Sequence, residues 1–222
     1  MDTDWNAGLQ AVAVLEEPTR RRLYEYVVAQ AEPVSRDDAA AALAIPRTTA
    51  AFHLDRLTEE GLLATCFERR TGRTGPGAGR PAKLYHRSDT EIEISLPERQ
   101  YAVAGHLLAA AIEDAEATGG SPRAAVDRLA REYGESLGRA GAGLPVLEIL
   151  QRHGFEPRLD GDDIALGNCP FRRLAADYTQ LVCTMNLNLL AGLVSATGTP
   201  HEAQLAPAPN HCCVRLVSSA GG

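Results

Sequence analysis

The sequence predicts a mainly helical α+β protein with three parts. They are an N-terminal domain in residues 1–90, a helical segment in residues 91–143 and a small α/β domain in residues 144–222. Alanine and leucine dominate the 222 residues, and only 5% are aromatic, which favours helices. Short runs with strand character, bounded by glycine and proline, predict a hairpin in the first part and a few strands in the last. The 45% hydrophobic and 23% charged residues are ordinary for a folded protein.

The net charge of −7 is unevenly distributed along the chain. Residues 1–90 carry 12 Lys and Arg against 13 Asp and Glu, whereas residues 91–222 carry 10 against 16. One basic stretch without an acidic residue contains Arg69, Arg70, Arg73, Arg80, Lys83 and Arg87. Because local positive charge attracts phosphates even on an acidic protein, DNA is not excluded as a partner.

Two helices are predicted in the N-terminal domain before residue 44. The first starts at residues 17–19 and continues to Val28, with apolar side chains at helical spacing. The second starts at Ser35, where Asp38 three residues later predicts a capping box, and it continues to Leu43.

A third helix is predicted from Arg47 to Glu60, after a turn at Pro46 and before Gly61, which ends it. Three apolar side chains of this helix are expected to face the core, namely Ala50, Leu54 and Leu57. The polar side chains form the other face, namely Arg47, Thr48, Thr49, His53 and Arg56.

Two strands follow the third helix, at residues 62–67 and 82–86, and residues 71–81 between them are rich in glycine and basic. Three helices followed by a hairpin with a basic tip describe a winged helix-turn-helix. In this fold the third helix enters the major groove and the tip contacts the backbone or the minor groove. The predicted DNA contacts are Arg47, Thr48, Thr49, His53 and Arg56 of the helix, with Arg73, Arg80 and Lys83 of the hairpin.

The motifs at residues 54–57, 60–63 and 79–85 resemble those of the ArsR/DeoR-like winged-helix transcriptional regulators. The resemblance covers about residues 9–87 and implies that the partner is a double-stranded DNA operator. The alternative is a winged helix that contacts protein rather than DNA.

The middle segment contains two predicted amphipathic helices, at residues 101–117 and 123–138. Helices in this position commonly pair with a second copy, so we expect a homodimer with two DNA-binding heads on two half-sites. The alternative is that both helices pack within their own chain.

The last part is predicted to contain helices at residues 145–153 and 177–194, with strands at residues 155–159, 164–166 and 212–217. It also contains four of the five cysteines, which are Cys169, Cys183, Cys212 and Cys213. In a reducing compartment, clustered cysteines favour a metal or redox site over a disulfide. Thiolates suit an iron–sulfur cluster or Zn²⁺.

The positions of these cysteines lead to three expectations. Cys169 follows a strand and precedes Pro170, so its sulfur is expected to project from a turn. Cys183 lies near the start of an apolar helix, where the helix dipole would favour a thiolate. Cys212 and Cys213 open the last strand, and since side chains alternate along a strand, only one is expected to reach a common site. The fourth ligand is left open between the second cysteine of the pair, a histidine and a group outside the chain; the histidines are His201 and His211.

The motifs around residues 154–157, 168–171, 181–189 and 212–213 resemble the SufR-like branch of these regulators. The resemblance implies an iron–sulfur cluster on Cys169, Cys183 and Cys212 or Cys213, and a role as a repressor. The same region also resembles vinyl-reductase-type domains, some of which bind zinc or an apolar molecule. Zinc, an apolar ligand and simply buried thiols are therefore the alternatives.

Other function classes find little support. The sequence has no nucleophile elbow, phosphate-binding loop, zinc-protease motif or dinucleotide fingerprint, so an enzyme is not expected. The acidic N-terminus lacks the layout of a signal peptide, and we expect no apolar stretch of the length that spans a bilayer. The sequence thus predicts a dimeric cytoplasmic transcription regulator without a membrane partner.

Overall fold

The computed structural model describes residues 3–68, 81–208 and 211–219. The chain divides into two compact units, Met1–Ile94 (unit 1) and Ser95–Gly222 (unit 2). The elements of unit 1 are α1 (Thr3–Val14), α2 (Pro18–Val28), β1 (Val34–Ser35), α3 (Arg36–Leu43), α4 (Arg47–Glu59), β2 (Leu63–Glu68) and β3 (Ala82–Arg87). Those of unit 2 are α5 (Tyr101–Thr118), α6 (Pro122–Ala140), α7 (Val146–Arg152), β4 (Pro157–Asp160), β5 (Asp163–Leu166), α8 (Arg172–Asp177), α9 (Thr179–Thr197), β6 (His201–Leu205) and β7 (Val214–Ser218).

Local capping fixes the helix starts of unit 1. The Glu17 carboxylate accepts hydrogen bonds from the backbone N–H groups of Thr19 and Arg20, at 3.0 and 2.6 Å, and so caps α2. Ser35 and Asp38 form the predicted capping box of α3. The helix starts inferred from local chemistry are therefore confirmed.

The turn between α3 and α4 sets the helix-turn-helix geometry. Ala44 ends α3 in the left-handed region, with φ of 53°, and α4 starts three residues later at Arg47. At the other end of α4, Gly61 has φ of 74°, as expected of a residue that ends a helix. Leu54 and Leu57 of α4 are fully buried in the unit 1 core, so the predicted apolar face is confirmed.

The sheet of unit 1 has the order β1-β3-β2 and is antiparallel. Strands β2 and β3 were predicted, but β1 was not, since its two residues are too few to give a periodic signal. In β1, Val34 pairs with Tyr85 and Ser35 pairs with Leu84. Helix α1 was also missed, and it contributes Ala11 to the core.

Unit 2 is built on a close contact between α6 and α9. A Cβ atom on Gly134 of α6 would overlap the carbonyl oxygen of Leu189, and one on Gly192 of α9 would overlap the carbonyl oxygen of Arg131. The two helix backbones therefore approach each other more closely than any larger side chain allows. Helices α5 and α6, expected to form a separate segment, share one hydrophobic core with α9 and the strands that follow.

The expectation that no apolar stretch reaches the length of a membrane span was wrong. Helix α9 has 19 residues and no charged side chain. By length and composition alone it could cross a bilayer. Buried core helices meet the same two criteria, and α9 contributes Met185, Leu189 and Leu193 to the core of unit 2.

The sheet of unit 2 is antiparallel and has the order β4-β5-β7-β6. Strand β6 was not predicted, although it pairs along its whole length with β7. The last strand starts at Val214 rather than at Cys212, so the cysteine pair precedes the strand. The alternation expected of Cys212 and Cys213 therefore does not apply to them.

Candidate DNA-binding helix and thiol cluster

Helix α4 presents a polar face to solvent on the side opposite its buried leucines. Arg47, Thr48 and Arg56 are exposed, and Thr49 is half-buried. The N-cap residue Pro46 makes no side-chain cap. The first-turn N–H groups of α4 therefore receive no hydrogen bond from the side chain of their N-cap residue, and such groups can bind phosphate.

The two arginines of this face pair with acids of their own unit. Arg47 lies 2.5 Å from Asp37. Arg56 lies 3.1 Å from Glu59 and 2.5 Å from Glu60. Exposed ion pairs of this kind contribute little free energy, so a phosphate could compete for either guanidinium.

The structure places His53 inside unit 1 rather than on this face. Its side chain is only 12% exposed, and its Nδ1 atom lies 3.7 Å from the carboxylate of Glu17. Residue 53 follows Ala50 by three positions and precedes Leu57 by four, so helical spacing puts it beside the buried stripe. The same spacing puts Phe52 on the open face, where the ring is 66% exposed. Phe52 was not among the predicted DNA contacts, because that set contained only the polar side chains of the helix.

Among the predicted hairpin contacts, Arg73 and Arg80 lie outside the described residues, and Lys83 is described. The ammonium of Lys83 lies 2.6 Å from Asp55 of α4, and the buried Tyr85 hydroxyl donates a hydrogen bond to the same carboxylate at 2.8 Å. Although partial burial opposes it, the hydrogen bonds from Lys83 and Tyr85 lower the pKa of Asp55. These contacts fasten the hairpin to α4.

The four late cysteines form one group in unit 2, which we call the thiol cluster. Cys169 lies in the turn after β5, Cys183 lies in α9, and Cys212 and Cys213 lie just before β7. The thiols lie close enough to shift one another's pKa values: Cys212 interacts with Cys169 and with Cys213, and Cys213 interacts with Cys183. Both members of the pair therefore reach the cluster. Cys66 lies in unit 1, and all five cysteines are free thiols.

Nitrogen donors surround two of the sulfurs. The backbone N–H groups of Phe171 and Val214 act on the sulfurs of Cys169 and Cys212, respectively, and each lowers the pKa of its thiol. The side-chain amide of Asn186, which is fully buried, also donates to Cys212 Sγ at 3.2 Å. Such N–H···S hydrogen bonds orient and tune sulfur ligands in metal sites.

A buried hydrogen-bond network holds the turn that carries Cys169. Asn168 donates from Nδ2 to the carbonyl oxygens of Gly154 and Glu98, at 2.6 and 3.1 Å. Arg99 donates to Asn168 Oδ1 at 2.7 Å and to the carbonyl oxygen of Cys169 at 2.8 Å. The backbone position of Cys169 is thus fixed independently of the other thiols.

The pKa values of Cys169, Cys183 and Cys212 are raised above the ordinary value of a thiol. The hydrogen bond to Cys212 and desolvation raise the pKa of Cys169. The hydrogen bond from Cys169 lowers the pKa of Cys212, but the hydrogen bond to Cys213 and burial outweigh it, and the net shift is upward. Desolvation raises the pKa of Cys183 as well, so the thiolate expected from the helix dipole was wrong. Cys183 is the fifth residue of α9 and is buried, beyond the first-turn N–H groups.

The four cysteines have the chemistry of metal ligands, but their side chains are not arranged around a metal position in this structure. Across residues 3–68, 81–208 and 211–219, no group of three or more His, Cys, Asp or Glu side chains is placed to hold a metal ion. The thiol cluster nevertheless combines four soft donors with N–H groups directed at sulfur, which suits iron–sulfur or zinc binding once the thiols lose their protons. His201 uses both ring nitrogens elsewhere, at 2.8 Å from Thr199 Oγ1 and 3.0 Å from the carbonyl oxygen of Asp162. His211 is exposed and adjoins Cys212.

Comparison with known proteins supports the assignment of unit 1. A family model described as a helix-turn-helix domain matches residues 15–66, about a quarter of the chain. This match covers α2, α3, α4 and most of β2, and it supports a winged helix-turn-helix regulator that binds DNA. Regulators of this kind are typically not enzymes. Searches of curated proteins and of solved structures gave no match.

Proposed function

We propose that the protein is a DNA-binding transcription regulator whose thiol cluster holds an iron–sulfur cluster that controls its affinity for DNA. The observation that carries this proposal is the grouping of four cysteines from three separate chain segments inside a chain with a helix-turn-helix domain. Structural thiols need no such grouping, whereas a soft metal centre does.

Unit 1 supplies the DNA contacts in this proposal. The exposed face of α4 enters the major groove, where Thr48, Thr49 and Arg56 approach base edges or phosphates. Arg47 lies at the start of the helix, where a backbone phosphate would compete with Asp37 for its guanidinium. The hairpin cations Arg73 and Arg80 add affinity that depends on salt, and the protein acts as a homodimer on two half-sites.

Unit 2 supplies the sensing site. Cys169, Cys183 and Cys212 would hold the cluster, with Cys213 as the fourth donor. An iron–sulfur cluster supplies a centre that oxidants and iron supply can alter. Phe171, Val214 and Asn186 would keep their N–H groups on the ligand sulfurs. In the metal-free form, buried neutral thiols replace charged thiolates, so the segments that carry them repack.

This repacking would transmit a change at the cysteines to the DNA-binding domains. Cys183 lies on α9, and α9 packs against α6 through backbone contacts at Gly134 and Gly192 that allow no adjustment by side chains. A shift of α9 must therefore move α6. In a homodimer such a shift would favour one of two distances between the DNA-binding heads. The metal-bound and metal-free proteins would then differ in their affinity for DNA. A role as repressor is part of this proposal.

Anaerobic purification followed by an absorption spectrum and analysis of iron, sulfide and zinc tests the metal centre. We expect a brown protein with matching iron and sulfide contents, and loss of both in Cys169→Ser and Cys183→Ser. Cys66→Ser is the matched control, because Cys66 is a thiol outside the cluster, and it should keep its colour. A colourless protein with about one zinc per chain would assign the site to zinc. A colourless protein free of metal would refute a metal centre.

A cavity in unit 2 supports a second candidate, a regulator that senses a small apolar ligand. Its volume is about 240 Å³, and it lies between α5, α6 and the start of α9. The lining side chains are Leu108, Ala111, Ile112, Pro122, Arg123, Val126 and Leu181. Titration of the metal-free protein with an environment-sensitive apolar dye tests this candidate. Binding to the parent chain and its loss in Val126→Trp, which fills the cavity, would support it.

A further inference from the structure

We infer that Phe52 is a specificity-determining residue that contacts the C5-methyl group of a thymine in the major groove. This inference rests on the proposed DNA binding by α4 and adds to it the base that the helix selects. Neither the polar set predicted from the sequence nor the family match assigns a role to this side chain.

Phe52 lies on the exposed stripe of α4. Thr48, Phe52 and Arg56 are spaced by four residues, so they form one stripe along the helix. Phe52 is in the middle of that stripe, and at 100° per residue it lies almost opposite the buried Leu54. A ring in this place cannot join the core of unit 1, and it remains 66% exposed.

The Phe52 ring is held on one side and open on the other. Its ring contact is an edge-on approach to His53, with the centroids 5.2 Å apart. His53 is itself mostly buried beside Glu17, the residue that caps α2. One side of the Phe52 ring therefore packs against a side chain of its own helix that is held in place beside α2, while the rest of the ring is open to a partner.

Phe52 lies close to the N-terminus of α4. Recognition helices contact base edges with residues near their N-terminus. Phe52 is in the second turn of α4, about 6 Å along the axis from Thr48. If a DNA phosphate binds the N–H groups of the first turn of α4, Phe52 lies about one turn farther along the helix. At that distance from the phosphate it is at the level of the base edges.

The chemistry of the groove selects thymine. Of the four bases, only thymine presents a methyl group in the major groove, and an aromatic ring makes an apolar contact with it. The adjacent Thr48 and Arg56 can hydrogen-bond to polar edges or phosphates, which Phe52 cannot do. The stripe therefore reads one apolar position between two polar ones.

Replacement of thymine by deoxyuridine tests this inference, because uracil lacks only the methyl group. Duplexes are first selected from a randomised pool with the full-length protein, and each selected thymine is then replaced in turn. We expect one position per half-site at which deoxyuridine weakens binding about fourfold, the effect of one lost methyl contact. At that position Phe52→Ala should bind the two duplexes equally, and Phe52→Leu should keep part of the difference.

The outcomes separate the inference from the function on which it rests. If duplexes are selected but no thymine is sensitive to the methyl group, or if Phe52→Ala keeps the full difference, the inference is wrong and DNA binding stands. If the parent protein selects no duplex at all, both fail. Phe67→Ala is the matched control, since Phe67 is a similarly exposed ring, 61%, on β2 of unit 1, and it should leave the thymine effect unchanged.

Discussion

The amide nitrogen of Asn186 lies 3.2 Å from the sulfur of Cys212, inside the core of unit 2. Its amide oxygen has no hydrogen-bond partner among the residues that the structure describes, although Asn186 is fully buried. A buried amide with one unpaired atom destabilises a core, so packing alone does not explain an asparagine at this position. Its hydrogen bond to the sulfur of Cys212 does offer an explanation. Asn186 follows Cys183 by three residues, so one face of α9 carries both a thiol and an amide of the cluster.

Replacement of Asn186 by leucine should affect the metal-bound and metal-free forms in opposite ways. In the metal-free form, Asn186→Leu removes an unpaired buried oxygen, so the free energy of unfolding should stay within about 1 kcal/mol of the parent value or rise. Affinity for a thiolate-bound metal should fall about tenfold or more, because a hydrogen bond to the ligand sulfur is lost. Thermal unfolding and competition for zinc against a chelator, both under reducing conditions, measure the two effects.

Asn188→Leu is the control for that experiment. Asn188 is on the same helix, but it is half-buried and donates to the carbonyl oxygen of Thr184 at 3.0 Å. Its replacement should leave metal affinity unchanged. Equal losses of affinity in the two variants would show that Asn186 acts through the packing of α9 alone.

Gly134→Ala should strongly destabilise unit 2, because its Cβ would overlap the Leu189 carbonyl oxygen. The expected loss is about 2 kcal/mol or more, as for other overpacked cores. Gly105→Ala is the matched control in α5, where a Cβ would have nothing within 4 Å. It should stabilise the protein by about 0.5–1 kcal/mol through helix propensity. Denaturant unfolding of both variants tests the α6–α9 contact, and a neutral Gly134→Ala would contradict it.

Asp55 should stabilise unit 1 in a way that depends on pH. Its pKa in the folded protein lies below the ordinary value of 3.8, so its contribution is complete above that value and disappears as the pH falls through the folded pKa. Asp55→Asn should therefore lower the free energy of unfolding by about 1 kcal/mol at pH 7. The difference in free energy of unfolding between Asp55→Asn and the parent protein should disappear as the pH is lowered below about 4. Glu59→Gln, which removes only an exposed ion pair, should show a smaller effect, and parallel pH curves for parent and Asp55→Asn would contradict the assignment.

Arg80→Ala should weaken binding to all DNA sequences and reduce its salt dependence. A cation that contacts phosphate contributes about one unit to the slope of log affinity against log salt, whatever the sequence. Titrations of selected and unrelated duplexes at several salt concentrations measure both properties. An unchanged slope would remove Arg80 from the interface.

Local features of the fold could be predicted from the sequence, because local chemistry determines them. The caps at Glu17 and Ser35 and the helix end at Gly61 depend on residues within one turn. Strand β1 could not be found in this way, since its two residues form a strand only through pairing with Tyr85 and Leu84. The same limit applies to β6, which pairs along its whole length with β7.

The residues of the candidate site could be predicted from the sequence, but their arrangement in space could not. The clustering of cysteines late in the chain indicated a shared site, but their order of contact depends on where α9 lies against the turn of Cys169. The pair Cys212 and Cys213 was assigned to a strand that in fact starts two residues later than predicted, at Val214, so the alternation rule gave the wrong geometry. His53 was assigned to the DNA face as a polar residue, although its helical position beside Ala50 and Leu57 explains its burial.

The central claim is that the state of the thiol cluster controls DNA affinity. The most direct measurement is the dissociation constant for one selected duplex, determined anaerobically for cluster-loaded and metal-free protein in the same buffer and salt. The account predicts that the two constants differ by at least about fivefold, the lower end of ordinary allosteric coupling, and that Cys183→Ser removes the difference. Equal constants for loaded and metal-free protein would contradict it.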